Sequence, residues 1–250
     1  MSKTVLITGA TAGFGKAMAE RYASEGWNLI LTGRRKEKLK ELQQALAPTP
    51  VHIAAFDVSD KQACFDAVAQ LPDSFKTVDV LVNNAGLALG LDPAQSCDLN
   101  DWETMIDTNI KGLMYMTRAL LPSMVEQDKG HIVNLGSVAG TYPYPGGNCY
   151  GGTKAFVNHF SKNLLADLLG TRIRVTNIEP GLCESEFSVV RFKGDKNAAD
   201  KVYQGTQPIK PEDIAEIVYW TTTLPAHINI NSLEVMPVDQ AFSPFAINRK

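Results

Sequence analysis

The sequence predicts an α/β fold, a single domain built on one parallel, doubly wound, seven-stranded sheet with helices on both faces. Three observations carry this. Short β-branched runs alternate with longer helical patterns along all 250 residues, the rhythm of right-handed βαβ crossovers. The first strand-to-helix junction holds Gly9, Gly13 and Gly15, which permit a tight turn and close backbone approach. No Gly/Ser linker, internal repeat or low-complexity segment divides the chain, so one domain is expected.

Composition narrows the partners. Apolar residues make up 44% and charged residues 20%, near globular averages and enough for a sizeable core. A net charge of −3 offers no broad basic surface to nucleic acid. The basic run at 34–40 alternates with Glu37 and Glu41 and reads as a solvated helix face. Cys64, Cys97, Cys149 and Cys183 lack C-x-x-C spacing, which argues against a disulfide frame or a metal site. No run approaches the ~18 apolar residues of a membrane span, and no signal-peptide pattern opens the chain. A cytoplasmic protein is expected.

The elements follow in order. Strand 4–8 contains Val5-Leu6-Ile7 and runs into Thr8-Gly9-Ala10-Thr11-Ala12-Gly13-Phe14-Gly15, which opens helix 14–24. A helix entered this way presents unpaired N–H groups and its positive end to an anion. The spacing is not G-x-G-x-x-G, and the absence of G-K-[ST] excludes a P-loop. Alone, the cluster also fits a plain tight turn; its place in a βαβ unit favours a nucleotide site. Strand 28–32 ends in Gly33-Arg34-Arg35 before helix 36–46. An NAD site usually places an acid here; a guanidinium instead suits a 2′-phosphate. The other reading is that Arg34 and Arg35 decorate a loop.

Strand 51–56 is followed by Asp57-Val58 and helix 61–70. The carboxylate at 57 suits an adenine amino group, or caps the next turn. Strand 80–83 leads into Asn83-Asn84-Ala85-Gly86, small enough to admit a flat ring, or an ordinary turn. Helix 101–125 carries Asn109, whose amide could hold a water. Strand 131–135 is followed by Ser137, a possible donor to a substrate oxygen or a plain turn residue. Helix 150–169 opens with Tyr150-Gly151-Gly152-Thr153-Lys154. Tyrosine and lysine at i and i+4 share a helix face, and an ammonium nearby lowers a phenol's pKa toward use as an acid/base. Strand 173–178 precedes Pro180-Gly181 and the aperiodic stretch 181–207, a candidate lid at a strand's carboxyl end, or a surface loop with a short helix. Helix 211–222 and strand 232–236 complete the pattern. Residues 237–250 are too apolar for a free tail.

Taken jointly, these motifs resemble the short-chain dehydrogenase/reductase family over nearly the whole chain. The T-G-x3-G-x-G pattern falls at Thr8 to Gly15, N-N-A-G at Asn83 to Gly86, the Asn-Ser-Tyr-Lys tetrad at Asn109, Ser137, Tyr150 and Lys154, and P-G at Pro180-Gly181. The resemblance implies a Rossmann-type fold, an NADP(H)-dependent oxidoreductase and a homotetramer to which 237–250 contributes. It implies that Tyr150 exchanges a proton with the substrate oxygen, Lys154 lowers the tyrosine pKa and binds the nicotinamide ribose, Ser137 holds the substrate oxygen, and Asn109 anchors a relay water. It implies a cofactor site of Gly9, Thr11, Gly13, Phe14, Gly15, Arg34, Arg35, Asp57, Val58, Asn83, Asn84, Ala85, Gly86, Tyr150, Lys154, Pro180, Gly181 and Leu182.

Segments 84–90, 101–109 and 224–231 further resemble the NADP-dependent 3-hydroxy acid dehydrogenases, which act on serine, allo-threonine and 3-hydroxypropionate-type acids or reduce malonic semialdehyde. Segments 181–187 and 244–249 look more like sulfoacetaldehyde reductases, which form isethionate. Either substrate is a short aldehyde or alcohol with an anion. Arg191 is the candidate cation for it, with Lys193 second; pairing of Arg191 with Glu184, Glu186 or Asp195 is the alternative. Tyr144 and Asn148 flank Tyr150 and are candidate pocket residues, or ordinary loop residues. Cys149 and Cys183 read as inert thiols, and His131 as structural. A non-catalytic NADP-binding regulator, or a reductase of bulkier ketones, are the rival readings.

Overall fold

A computed structural model describes residues 2–241. Its sheet has seven strands: β1 (Thr4–Ile7), β2 (Asn28–Gly33), β3 (Val51–Ala55), β4 (Val80–Asn83), β5 (Gly130–Leu135), β6 (Ile173–Pro180) and β7 (Ser232–Val235). They lie in the order β3-β2-β1-β4-β5-β6-β7, every pairing parallel. The chain first moves outward from β1 to β3, then crosses back to set β4 on the other side of β1. That reversal leaves a crevice beyond the carboxyl ends of β1 and β4.

Alternation along each strand explains why both faces are covered. Val5, Ile7, Leu29, Leu31, Val80 and Val82 point into one buried cluster. Leu6, Ile30 and Leu81, the residues between them, point into the other. Successive side chains leave a strand on opposite faces, so a strand apolar throughout needs helices above and below.

The first cluster packs against α1 (Gly13–Ser24), α2 (Lys36–Ala45) and α9 (Pro211–Thr223). There Tyr22 of α1 bonds Thr222 of α9 at 2.7 Å. The second packs against α3 (Lys61–Ala69), α5 (Leu113–Glu126) and α6 (Asn148–Asp167).

The expected helix 101–125 is not one helix. It is α4 (Leu99–Ile106), a π-helical turn (Asp107–Gly112) and α5. Apolar spacing does not register a widened turn of this kind, which often marks a functional position. Gly112 closes it: a Cβ there would lie 2.7 Å from Val58 Cγ2. The stretch 181–207, read as aperiodic, contains two short helices, α7 (Glu186–Arg191) and α8 (Lys196–Lys201). The two ends of this excursion are clasped by Glu184 N–H to Ile209 O at 2.9 Å and Ile209 N–H to Leu182 O at 3.1 Å. Of the segment 237–250, residues 242–250 lie outside the described residues.

Candidate active site

The crevice is built first by the turn after β1. Gly9 and Gly13 have φ of +66° and +49°, a region L side chains enter only under strain. Gly15 is required for a different reason: a Cβ there would lie 2.4 Å from the Gly9 carbonyl oxygen. No side chain caps α1, so its first amides stay open to an anion. The loop after β4 is tied to this turn. The Asn84 and Ala85 amides donate to Thr8 Oγ1 at 3.0 and 2.9 Å, and Asn84 Nδ2 donates to the Thr8 carbonyl at 2.8 Å.

One end of the crevice is basic. Arg34 lies 3.6 Å from Asp57. Arg35 donates through Nε and Nη2 to Thr11 Oγ1 at 3.0 and 2.7 Å, and through Nη1 to Glu186 of α7 at 3.3 Å. Asp57 also accepts from the Ser59 amide and hydroxyl. Burial opposes its charge, yet the Ser59 bonds and Arg34 hold its pKa below the usual carboxylate value. The capping role and a place beside the cavity therefore belong to the same side chain.

The other end holds the tyrosine and lysine. Both sit on the first turns of α6 and both are buried. Lys154 Nζ donates to the Leu135 carbonyl at 2.6 Å and lies 5.8 Å from the Tyr150 ring centre. Burial pushes the lysine pKa down to about 8.

The expectation that this ammonium brings the phenol toward neutrality is not met by the chain's own groups. Burial dominates and raises the Tyr150 pKa well above its ordinary value; the Ser137 hydroxyl and the Arg191 guanidinium pull the other way. A low-dielectric site favours the neutral form of both partners. Ser137 itself accepts from the Ala139 amide at 3.1 Å and donates to the Pro180 carbonyl at 3.4 Å.

A cavity of about 610 Å³ joins the two ends. On its wall lie Gly9, Thr11, Gly13, Phe14, Arg34, Arg35, Asp57, Val58, Asn84, Ala85, Gly86, Ser137, Tyr144, Tyr150, Lys154, Pro180, Gly181, Leu182 and Arg191. Gly15, Asn83, Asn109 and Asn148 lie off it.

Asn83 points into the core and donates to Thr117 and Asn134, both at 2.9 Å. The Asn109 amide is occupied: it accepts from the Leu87 N–H at 2.9 Å and donates to the Leu87 carbonyl at 2.8 Å and Thr153 at 3.1 Å. It thus fixes the loop after β4 against α6. Asn148 accepts from the Trp102 indole at 3.0 Å and donates to the Asp92 carbonyl at 3.1 Å, so it braces a loop outside the cavity.

Arg191 is held at the tyrosine end. Its Nη2 donates to the Tyr144 hydroxyl at 2.7 Å, its Nε to the Gly90 carbonyl at 3.3 Å, and its guanidinium lies 5.7 Å from the Tyr150 ring centre. Two of the three acids offered as its partner have other roles. Glu186 faces Arg35 and Lys38, and Asp195 caps α8. Lys193 does not serve the cavity, because Asp101 holds its ammonium at 2.8 Å. Burial raises the Cys183 thiol to about 12 and also raises Cys149, so neither is a ready nucleophile.

Sequence reasoning missed two residues and misplaced a third. Phe187 sets its ring 5.5 Å from Tyr150. Gln240 accepts from the Leu182 amide at 2.7 Å. Glu186, offered as a partner of Arg191, instead bridges α7 to Arg35. These contacts join positions far apart along the chain, so only spacing in three dimensions reveals them.

The short chain dehydrogenase family model matches residues 3–196. The chain is 55% identical over 247 residues to the NADP-dependent 3-hydroxy acid dehydrogenase YdfG of Escherichia coli, covering 98% of this chain and 99% of that one. It is equally, 55%, identical over 251 residues to sulfoacetaldehyde reductase 2 of Chromohalobacter salexigens, covering all of both chains. Among solved structures, the closed form of a serine dehydrogenase complexed with NADP+ superposes with a TM-score of 0.97 at 55% identity, over 99% of this chain and 100% of that chain.

Proposed function

The chain belongs to the short-chain dehydrogenases, and from that premise we propose that it is an NADP(H)-dependent oxidoreductase interconverting a small 3-hydroxy acid and its aldehyde or keto acid. The observation that carries the reading is one continuous cavity with an arginine pair at one end and Tyr150, Lys154, Ser137 and Arg191 at the other. Its volume suits a dinucleotide with a small substrate. The residues present fit that cofactor. The bare glycine turn and uncapped α1 suit a pyrophosphate. Arg34 and Arg35 suit a 2′-phosphate. Asp57 and Val58 suit an adenine, and Asn84, Ala85, Gly86, Pro180, Gly181 and Leu182 suit the nicotinamide half.

Bound NADP(H) supplies the hydride donor or acceptor. The chain's own residues position and protonate. Ser137 Oγ donates to the substrate oxygen. Tyr150 Oη gives that oxygen its proton in reduction and takes it in oxidation. Lys154 Nζ stabilises the phenolate and holds a ribose hydroxyl, and Asn109 orders the loop that closes this corner. Arg191, with Tyr144, receives the substrate anion through charge-assisted bonds. Residues 181–207 serve as the lid, excluding water over the reacting atoms.

Serine, allo-threonine, 3-hydroxypropionate and malonic semialdehyde are the substrate types this reading favours. A second reading, NADPH-dependent reduction of sulfoacetaldehyde, is supported by the full-length relative of equal identity, and one arginine fork accepts a carboxylate or a sulfonate. A panel of malonic semialdehyde, sulfoacetaldehyde, serine and allo-threonine, each with both nicotinamide coenzymes, tests the proposal. Turnover of the sulfonate alone would replace the first reading with the second; turnover of none would leave a non-catalytic binder. We place the protein in the cytoplasm; among the described residues no helix is long and apolar enough to cross a membrane. We further propose a homotetramer, as in the family it resembles, tested by light scattering.

A further inference from the structure

We propose that Glu186 sets the coenzyme selectivity of this cleft by competing, as a carboxylate carried on α7, for the Arg35 guanidinium that would otherwise grip a 2′-phosphate. The inference rests on the NADP(H) reading above and deepens it.

Each of the three Arg35 guanidinium nitrogens already donates one hydrogen bond. Nε and Nη2 face Thr11 at 3.0 and 2.7 Å, and Nη1 faces Glu186 at 3.3 Å. A phosphate entering here competes with these partners for the guanidinium. Glu186 is the one to go, for two reasons. Its bond is the longer, and its carboxylate would face a phosphate of like charge. Thr11 is neutral and keeps the guanidinium pointed at the cleft. Lys38, 3.9 Å from the other Glu186 oxygen, adds a second cation to the same spot.

The contact also joins the two ends of the cavity. Ser185 stands over the glycine turn; a Cβ on Gly13 would meet its Cβ at 3.5 Å. Phe187 packs on Tyr150, and Arg191 ends the same short helix. The chain therefore places the residue facing the phosphate arginine next to the residue covering the catalytic phenol. A coenzyme without the 2′-phosphate leaves the Glu186–Arg35 pair intact, whereas one with it breaks the pair. Both side chains are about half exposed, so the effect is one of modest, salt-screened electrostatics.

The experiment is a fluorescence titration of NADPH and NADH into the full chain and Glu186→Gln at low ionic strength, a binding measurement that needs no turnover. The expected result is NADPH Kd lowered about 3- to 10-fold, with NADH Kd unchanged within about twofold. The gain shrinks in high salt and disappears in an Arg35→Gln background. Glu186→Ala serves as the second variant should the amide misfold. Unchanged NADPH binding, weaker NADPH binding, or equal gains for both coenzymes overturns the inference while leaving the NADP(H) reading standing. A parent chain that binds neither coenzyme, or prefers NADH, overturns both.

Discussion

The Lys154 ammonium donates to the Leu135 carbonyl at 2.6 Å from a position almost closed to solvent. One backbone oxygen is the only hydrogen-bond partner found for it among the described residues, and no carboxylate ion pair forms there. Burying that charge against a single backbone carbonyl costs stability; on the proposed reading its other donors serve the coenzyme.

This gives a pH-dependent expectation. Lys154 has a pKa of about 8 in the fold against 10.5 as an ordinary lysine. Below about 8 the folded chain bears the whole penalty of the buried charge. Between those two values the unfolded chain binds more protons, so stability rises with pH; above 10.5 the penalty is gone. Lys154→Met should therefore melt about 2–5 °C higher than the parent at neutral pH, and the gap should close as pH climbs through that window. Melting curves that stay parallel across it would contradict the assignment.

Removing the Tyr150 hydroxyl tests the proton donor. Tyr150→Phe keeps the ring packed on Phe187, so the site should remain intact. NADPH Kd should stay within about threefold, while kcat falls by about 10²–10⁴-fold. Stopped-flow traces retaining near-parental single-turnover rates would assign the proton to another group.

Arg34 is largely exposed and faces Asp57, so its part in coenzyme choice should be real but moderate. Arg34→Ala should narrow the NADPH-to-NADH ratio of kcat/KM by about tenfold, the value of one weak charge-assisted bond. A ratio unmoved by the substitution removes Arg34 from 2′-phosphate recognition and leaves that work to Arg35.

Arg191 should discriminate by charge. With Arg191→Ala, KM for malonic semialdehyde or sulfoacetaldehyde should rise about 10- to 100-fold, while KM for a neutral aldehyde such as propanal moves less than about threefold. Arg191→Lys should recover little, because an ammonium lacks the fork that spans Tyr144 and a two-oxygen anion. Equal losses on charged and neutral substrates would make Arg191 a brace for α7 and nothing more.

Much of the site could be read from the chain because its parts are local. A glycine turn at residues 9–15, a basic pair at the end of β2 and a Tyr-x3-Lys step on α6 each follow from spacing over fewer than eight residues. What escaped had a different character. The π turn around Asn109 preserves apolar periodicity on either side, so the pattern reads as one helix. Asn83 and Asn84 are neighbours with opposite fates: Asn83, the last residue of β4, bonds inside the β4–β5 layer, and Asn84, in the loop beyond it, pins the glycine turn. Lys193 and Arg191 are two residues apart, yet only one reaches the cavity, because Asp101 from a distant helix holds the other.

By itself the sequence determined the alternating strands and helices, the parallel sheet and the glycine turn and Tyr-x3-Lys step on which the proposed site rests, because those depend on short-range periodicity and on glycine's backbone freedom. The tertiary structure decided which charges face one another. Glu186 meets Arg35 across 151 positions and Arg191 meets Tyr144 across 47. It also decided that burial, rather than the lysine nearby, governs the Tyr150 hydroxyl. Charge interactions and desolvation depend on distance and dielectric, and neither is written in the order of residues.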